Sequence, residues 1–400
     1  MLANSKKYIS TLVVVIIIAS LFTLSACGKK DSKVSTTTGN TTTSASVTSS
    51  KTEQSQPIET TLATESTFAS IGENGLAFNP LTGEYSMSPD NLGKRSVTFV
   101  VNNHRSAMPQ RGIGSADIIY EYETEGGQTR LLALFSDISA VPEIGSIRSA
   151  RVLSTDLAAT TQSIFIHFGL NNRVPDQVAS NGLNSIDGNN YCASSGSSVN
   201  GQIELASGRF FWRDSTWKSQ RSIEHTAVTN GTHILRAMEH LGITRDGATP
   251  YMFKFGDANT STLSSGMDCN AINVYFSATN DDALFEYDSE IKLYTKSQYN
   301  GKPQIDDTTG ERIKFKNVFV FFTDIKAHGD TAGTIDAFLS NGGSGYYISN
   351  GKAVEITWTK DTPNSLFIVK DSAGTEITVN PGKSYICIVR SSNAEKTTIS

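Results

Sequence analysis

The chain has few cysteines and no strongly basic segment. Four cysteines occur in 400 residues, and none lies in a CxxC pair or a Cys/His cluster, which argues against a structural zinc site. The net charge is −5, and the sequence has no basic stripe interleaved with aromatic residues. A nucleic-acid partner is therefore disfavoured.

The sequence also lacks the signature motifs of several enzyme classes. It has no G-x-S-x-G, no P-loop and no G-x-G-x-x-G in a strand–turn–helix setting. The spacing of His225 and His233 matches no zinc signature. We therefore predict neither a cofactor nor a metal, and the sequence leaves open whether the protein is an enzyme.

No hydrophobic run reaches the roughly 20 residues that a membrane span needs. The apolar stretch 12–22 instead follows Lys6 and Lys7 and precedes the sequence LSAC at 24–27, and together these form a bacterial lipoprotein signal. We expect residues 1–27 to be the signal peptide and lipobox, and the Cys27 thiol to be acylated, as with palmitate. The alternative is an uncleaved membrane helix with an ordinary cysteine near its end.

Residues 28–71 predict a disordered tether. Of the 40 residues from 31 to 70, 21 are Ser or Thr, and so few apolar residues cannot offset the entropy of ordering. A flexible chain of about 45 residues would hold the folded part roughly 35–40 Å from the bilayer. Such a tether either reaches into the cell wall or only spaces the protein from its neighbours.

The remaining residues are enough for two buried cores. We predict an α+β protein, in which a mixed α/β domain at 72–245 precedes a β-rich, mainly antiparallel domain at 250–395. The first domain is expected to contain a strand at 97–101, a hairpin of 117–124 with 129–135, helices at 149–162 and 232–241, and a strand at 164–168. Period-two geometry places Asp117, Ile119, Glu121 and Glu123 on one acidic face of the hairpin's first strand.

The sequence also predicts local structure in two further regions. The region 171–222 is rich in Asn, Gly and Ser and predicts long surface loops that carry an aromatic plug at 210–212. In the second domain, Asn350-Gly351 predicts a hairpin turn, 334–339 a short helix, and 385–389 the last strand of an antiparallel meander.

Three cysteines remain beside Cys27. Cys387 alternates within an apolar run and is typical of a buried strand thiol, whereas Cys192 and Cys269 lie in polar surroundings. An oxidising location permits a disulfide between Cys192 and Cys269, and the sequence leaves both the bonded and the free state open.

Several blocks of sequence resemble a known family. They are VNNH at 101–104, ADIIYE at 116–121, EGG at 125–127, GSIRSAR at 145–151, FWR at 211–213 and NPGK at 380–383. These blocks resemble the YerB-like lipoproteins of Gram-positive bacteria, over essentially all of the folded chain in two consecutive parts. The resemblance implies a lipid anchor and two domains, but no reaction, because the family has no known function. Tyr385 stands where the resemblance leads us to expect Trp.

Arg148 and Arg151 are the strongest candidates for a binding site. Both lie at the start of the predicted helix 149–162, where free backbone N–H groups and two guanidinium groups would bind phosphate or carboxylate. The alternative is a structural ion network with Glu121, Glu123 or Asp117.

Other candidates come from strand ends, the acidic face and the aromatic segment. The candidate ligand-binding residues beside the two arginines are Asn103, His104, Arg130 and Trp212. The candidate acid/base residues are Glu121, Glu123 and His167.

Two functions fit these observations. The first is a membrane-anchored extracytoplasmic lipoprotein that binds a cell-wall polymer or an envelope protein without catalysis. The second is an extracytoplasmic hydrolase or transferase that acts on anionic cell-wall glycans.

Overall fold

The structure is a computed structural model and describes residues 70–196, 203–257, 261–279 and 282–400. The predicted signal peptide, Cys27 and nearly all of the predicted tether lie outside these residues. Residues Glu65–Ser400 cluster as one compact unit. Within the described residues, none of the helices has the length and apolar character needed to cross a membrane.

The described residues contain four α-helices and 25 strands. The helices are α1 (Val152–Ala159), α2 (Val174–Ser180), α3 (Ser215–Gln220) and α4 (Gly231–Leu241). The strands of the N-terminal part are β1 (Ala77–Asn79), β2 (Glu84–Met87), β3 (Val97–Asn102), β4 (Ile118–Glu123), β5 (Thr129–Phe135), β6 (Ile144–Gly145), β7 (Ile164–His167), β8 (Ser185–Asp187), β9 (Cys192–Gly196), β10 (Phe211–Asp214) and β11 (Ala227–Thr229). Those of the C-terminal part are β12 (Met267–Asp268), β13 (Ala271–Tyr275), β14 (Asp282–Asp288), β15 (Leu293–Gln298), β16 (Lys302–Pro303), β17 (Lys314–Phe315), β18 (Asn317–Thr323), β19 (Ile325–Ala327), β20 (Ile335–Ala337), β21 (Gly343–Ser349), β22 (Lys352–Thr359), β23 (Ile368–Lys370), β24 (Ser384–Arg390) and β25 (Thr398–Ile399).

An 11-stranded mixed sheet runs through the molecule. Its order is β12-β22-β21-β18-β24-β4-β5-β3-β7-β8, and β23 pairs with β22. The N-terminal and C-terminal parts meet where β4 pairs in parallel with β24, with Ile119 opposite Tyr385. The segments 72–245 and 250–395 therefore share one sheet.

Alternate side chains of this sheet face two apolar cores, as period two requires. Ile119 and Leu131 belong to one core, and Tyr120 and Leu132 belong to the other. A four-stranded sheet, β6-β11-β10-β9, and a six-stranded sheet built on β13–β17 and β25 complete the architecture. The α+β fold predicted from the sequence is confirmed.

Several predicted elements are present with small changes. The hairpin of β4 and β5 is antiparallel, and β21 and β22 pair across the Asn350-Gly351 turn. Helix α4 begins after Asn230, whose side chain accepts a hydrogen bond from His233 N–H, and ends at Gly242 with φ of 65°.

Helix α1 is shorter than predicted because the chain before it is extended. Arg148 N–H donates to Val100 O, and Ala150 N–H donates to Gly169 O. Both residues therefore form backbone hydrogen bonds with other segments of the chain and not within the helix. Helical backbone begins only at Val152, and Arg151 is the N-cap residue.

Two predictions of local structure are wrong. The region 171–222 is not a set of long surface loops, since it contains α2, β8, β9, β10 and α3. The segment 334–339 is not a helix, because β20 pairs with β19 there. In both places tertiary pairing overrides a local composition that favours loop or helix.

The last long strand is also paired differently from the prediction. Strand β24 does not end an antiparallel meander, because it pairs in parallel with both β18 and β4. Its largely apolar run 385–389 suits a strand buried on both faces.

The disulfide that the sequence left open is not formed. Cys192, Cys269 and Cys387 are free thiols. Cys192 lies in β9 of the four-stranded sheet, whereas Cys269 lies between β12 and β13. Burial raises the pKa of the Cys269 thiol to about 11, which keeps it protonated.

Candidate functional site

A cavity of about 230 Å³ lies where β3 ends and β5 begins. We call it the arginine cavity. The lining residues are Asn102, His104, Thr124, Glu125, Gln128, Thr129, Arg130, Arg148, Glu224 and His225. Asn102 of β3 and Tyr122 of β4 each lie opposite Arg130 of β5. One wall of the cavity is therefore formed at the ends of these three strands.

The turn between β4 and β5 shapes the floor of the cavity. Gly126 and Gly127 have φ of 68° and 72°, a left-handed conformation that favours glycine. A β-carbon at Gly127 would also lie 2.8 Å from Ser277 Oγ. The turn therefore needs glycine, and it presents Glu125 and Gln128 to the cavity.

Arg130 is the most constrained cation of the site. Its side chain donates to Ser149 O at 2.6 Å, and the residue is only 8% exposed. Among the residues that the structure describes, no carboxylate forms an ion pair with it. Burial, and then the positive charge of Arg151, lowers the pKa of Arg130 to about 9.

Arg148 and Arg151 differ in their ion pairing. Arg151 Nε forms an ion pair with Glu125 at the start of α1. Arg148 makes only a long contact of 3.4 Å to Glu224 O, and no carboxylate in the described ranges forms an ion pair with it. Burial lowers the pKa of Arg148, the charge of Glu224 opposes this shift, and the charge of Arg151 adds to it. Arg148 therefore faces the cavity as an unpaired cation.

His104 and His225 form the opposite wall. Their rings are stacked with centroids 5.3 Å apart and an interplanar angle of 4°. His225 Nδ1 lies 2.8 Å from Asn102 Nδ2, and His104 Nδ1 accepts a hydrogen bond from Ser106 N–H. Burial lowers the pKa of both imidazoles.

The cavity includes residues that the sequence analysis did not select as site residues. They are Asn102, Thr124, Glu125, Gln128, Thr129, Glu224 and His225. Asn102 and His225 are 123 positions apart, so no periodic pattern connects them. In the sequence, the polar cluster 102–105 directly after the predicted strand was the feature that could have indicated a site here.

The predicted acid/base carboxylates are not in the cavity as a pair. Glu121 is fully buried on the other face of the sheet, 3.3 Å from Lys296 Nζ, and Glu123 pairs with Arg390 at 2.9 Å. The acidic face predicted for β4 is therefore buried and neutralised. Both carboxylates therefore already have cationic partners.

The other sequence candidates also lie elsewhere. Asn103 donates to Glu121 on the buried face. Trp212 is wrong as a ligand contact, because its side chain is fully buried against Trp217 and Val228. His167 is 1% exposed and its ring nitrogens bond Gly169 O and Ser185 Oγ. The structure thus brings together His104, Arg130 and Arg148, with Arg151 beside them.

A second, larger cavity of about 430 Å³ is mostly apolar. Its walls include Met108, Pro109, Tyr299 and Ile305, with Arg105 against the Tyr299 ring. In the described ranges, no group of three or more His, Cys, Asp or Glu side chains is placed to hold a metal ion. Of these two cavities, the arginine cavity is the one whose walls combine unpaired cations and imidazoles.

Comparison with known proteins identifies the family. The model described as the N-terminal domain of Protein of unknown function (DUF3048) matches residues 81–244, and the model of its C-terminal domain matches residues 272–386. The chain belongs to the DUF3048 family. All the residues that line the arginine cavity lie within the match to the family's N-terminal domain.

YerB of Bacillus subtilis supports this DUF3048 assignment by both its sequence and its structure. Over 301 residues the chain is 31% identical to the protein named "Putative lipoprotein YerB" (strain 168), which covers 74% of this chain and 81% of that protein. The crystal structure of YerB protein from Bacillus subtilis matches with a TM-score of 0.67 and 27% identity, covering 80% of this chain and 99% of that chain. The resemblance to YerB-like lipoproteins is confirmed.

Proposed function

We propose that this DUF3048 protein is a lipoprotein anchored through Cys27 at the extracytoplasmic face of the cell membrane, and that it binds an anionic cell-envelope component without catalysis. The lipoprotein signal at 1–27 and the lipoprotein relative support the anchor. The tether 28–71 would let the folded part reach the cell wall. The binding site is the arginine cavity.

The observation that carries the proposal is the state of Arg130. A guanidinium that is almost fully buried costs several kcal/mol in desolvation unless an anion or strong acceptors compensate it. Arg130 has one backbone carbonyl as acceptor, and the unpaired Arg148 lies in the same cavity. A bound anion would offset the repulsion between these cations, which supports an anionic ligand.

Cosedimentation with cell walls tests the proposal. The full chain in detergent is mixed with walls purified from Bacillus subtilis, the organism of YerB. Arg148→Ala is expected to lower retention at least tenfold, since it removes a charge-assisted hydrogen bond worth about 1.5–3 kcal/mol. Arg236→Ala is the matched control, because Arg236 is exposed on α4 and carries the same charge.

The control variant distinguishes this site from nonspecific attraction. Retention by Arg148→Ala equal to that of Arg236→Ala would reject the cavity as the binding site. Retention of the unmodified chain should also fall as salt rises from about 0.1 to 1 M, as for any anion bound through partly exposed charges.

A second candidate function is a hydrolase or transferase acting on anionic wall glycans. The observation that favours it is the placement of two imidazoles, His104 and His225, beside Arg148 in one cavity. Imidazole is the commonest general acid or base. Incubating the chain with wall fragments between about pH 5 and pH 8 and finding no change in their masses would count against it.

A further inference from the structure

We infer that the arginine cavity binds a phosphate ester, and that His104 and His225 act there as neutral imidazoles that each donate one Nε2–H hydrogen bond to the phosphoryl oxygens. The inference rests on the proposed function. It adds the ligand class and the protonation state of two histidines.

The hydrogen bonds of Asn102 determine the tautomer of His225. His104 N–H donates to Asn102 Oδ1 at 3.0 Å, so the amide atom that faces His225 is Nδ2. That nitrogen lies 2.8 Å from His225 Nδ1 and can only donate. His225 Nδ1 is therefore an acceptor, and the proton of the neutral ring is on Nε2.

A backbone group determines the tautomer of His104 in the same way. Ser106 N–H donates to His104 Nδ1 at 3.1 Å, and a backbone N–H cannot accept. The neutral His104 ring therefore also carries its proton on Nε2. Protonation of either ring would place two donors against each other.

Burial is the main reason for the neutral rings. It lowers the pKa of both imidazoles, Arg148 lowers both further, and Glu224 opposes this shift, at His225 more strongly than any single cation. The charged groups that face the two rings are Arg105, Arg148, Arg221 and Glu224. Two stacked imidazolium rings would also repel each other.

The donor set favours a phosphoryl group over a carboxylate. A carboxylate has two oxygens in one plane and is matched by a single guanidinium. The cavity instead offers two guanidiniums and two Nε2–H groups, and these four donors come from four separate segments of the chain. A phosphoryl group has three strong acceptor oxygens, which suits donors that approach from several sides.

The cavity also has room for an ester substituent. Glu224, whose side chain is 42% exposed, lies at its rim, so a group attached to the phosphate can extend into solvent. Gln128 Oε1 is buried and, within the described ranges, has no hydrogen-bond partner. It could accept from a hydroxyl of the substituent.

Calorimetric titration of the full chain in detergent tests the inference. The probes are glycerol 1-phosphate, inorganic phosphate and acetate. We expect glycerol 1-phosphate to bind at least as tightly as phosphate and at least tenfold more tightly than acetate. His225→Gln places an amide N–H near the Nε2 position, whereas His225→Asn places it near Nδ1.

If neutral His225 donates its Nε2–H to the phosphate, these two variants should differ in affinity. His225→Gln should keep affinity within about threefold, and His225→Asn should lose about tenfold or more. The same comparison at His104 gives an independent test, and urea unfolding confirms that each variant is folded. Equal losses for Gln and Asn at both positions would overturn neutral donation.

The ligand class and the proposed function fail in distinguishable ways. Binding of acetate as tight as that of glycerol 1-phosphate would overturn the phosphate class, while leaving an anion site. No binding of any probe, together with unchanged wall retention by Arg148→Ala, would instead reject the proposed function.

Discussion

Lys296 Nζ lies 3.3 Å from Glu121 Oε2, and neither side chain is exposed to solvent. The pair joins β15 to β4 inside the molecule. Hydrogen bonds with neighbouring residues complete it. Asn103, Thr129 and Tyr385 donate to Glu121. Gln298 and Gln304 accept from Lys296. A buried ion pair of this kind is stable only while every polar group keeps its partner.

Removing one member of the pair should destabilise the fold. We expect Lys296→Met to lower the free energy of unfolding by about 3–5 kcal/mol, because it leaves the Glu121 carboxylate buried without its cation. Urea unfolding measures the change, and Lys326→Met, at an exposed lysine, is the control. The double variant with Glu121→Gln should lose less than the sum of the single changes; strict additivity would contradict the coupling.

The free thiols predict insensitivity to reductant. Adding dithiothreitol should leave the urea midpoint unchanged, and alkylation after unfolding should modify Cys192, Cys269 and Cys387. Native alkylation should reach the half-buried Cys192 first. A tryptic peptide that links Cys192 to Cys269 would show that the thiols are bonded after all.

His167 should make stability depend on pH. Burial lowers its pKa below the unfolded value of 6.5, so the folded state holds the ring neutral. Its contribution is present above pH 6.5 and is lost as the pH falls through the lowered folded pKa. In urea unfolding between about pH 8 and pH 5, His167→Asn should flatten this dependence. His240→Asn, on the exposed side of α4, should not; an equal effect of both changes would refute the assignment.

The cap of α4 offers a local test. Asn230→Ala should cost about 1 kcal/mol, because the His233 N–H loses its acceptor, and Asn230→Asp should keep most of the stability. Thermal or urea unfolding measures both. A loss for Asn230→Asp as large as that for Asn230→Ala would argue against capping.

The sequence correctly predicted turns and caps that depend only on neighbouring residues. The Gly126-Gly127 turn, the Asn350-Gly351 turn and the cap at Asn230 each depend on neighbours within a few residues. Strand β24 could not be paired correctly, because its partners β18 and β4 lie far away in the chain.

The candidate site was predicted in part. His104 was selected as a polar group near a strand end and Arg148 as a cation at a predicted helix start, and both line the cavity together with the candidate Arg130. His225 was noticed only as a metal candidate, since its contact with Asn102 spans 123 positions. Trp212 failed because an aromatic residue within a polar region suggested exposure, whereas the fold buries it between strands.

Arg130→Met tests the central claim most directly, because it separates binding from stability in one variant. Stability is measured by urea unfolding, and binding by retention on purified cell walls. If the buried guanidinium serves an anionic ligand, the apolar replacement should keep or raise the free energy of unfolding by about 1 kcal/mol and reduce retention at least tenfold. A loss of about 3 kcal/mol or more with unchanged retention would show that Arg130 is structural and would contradict the account.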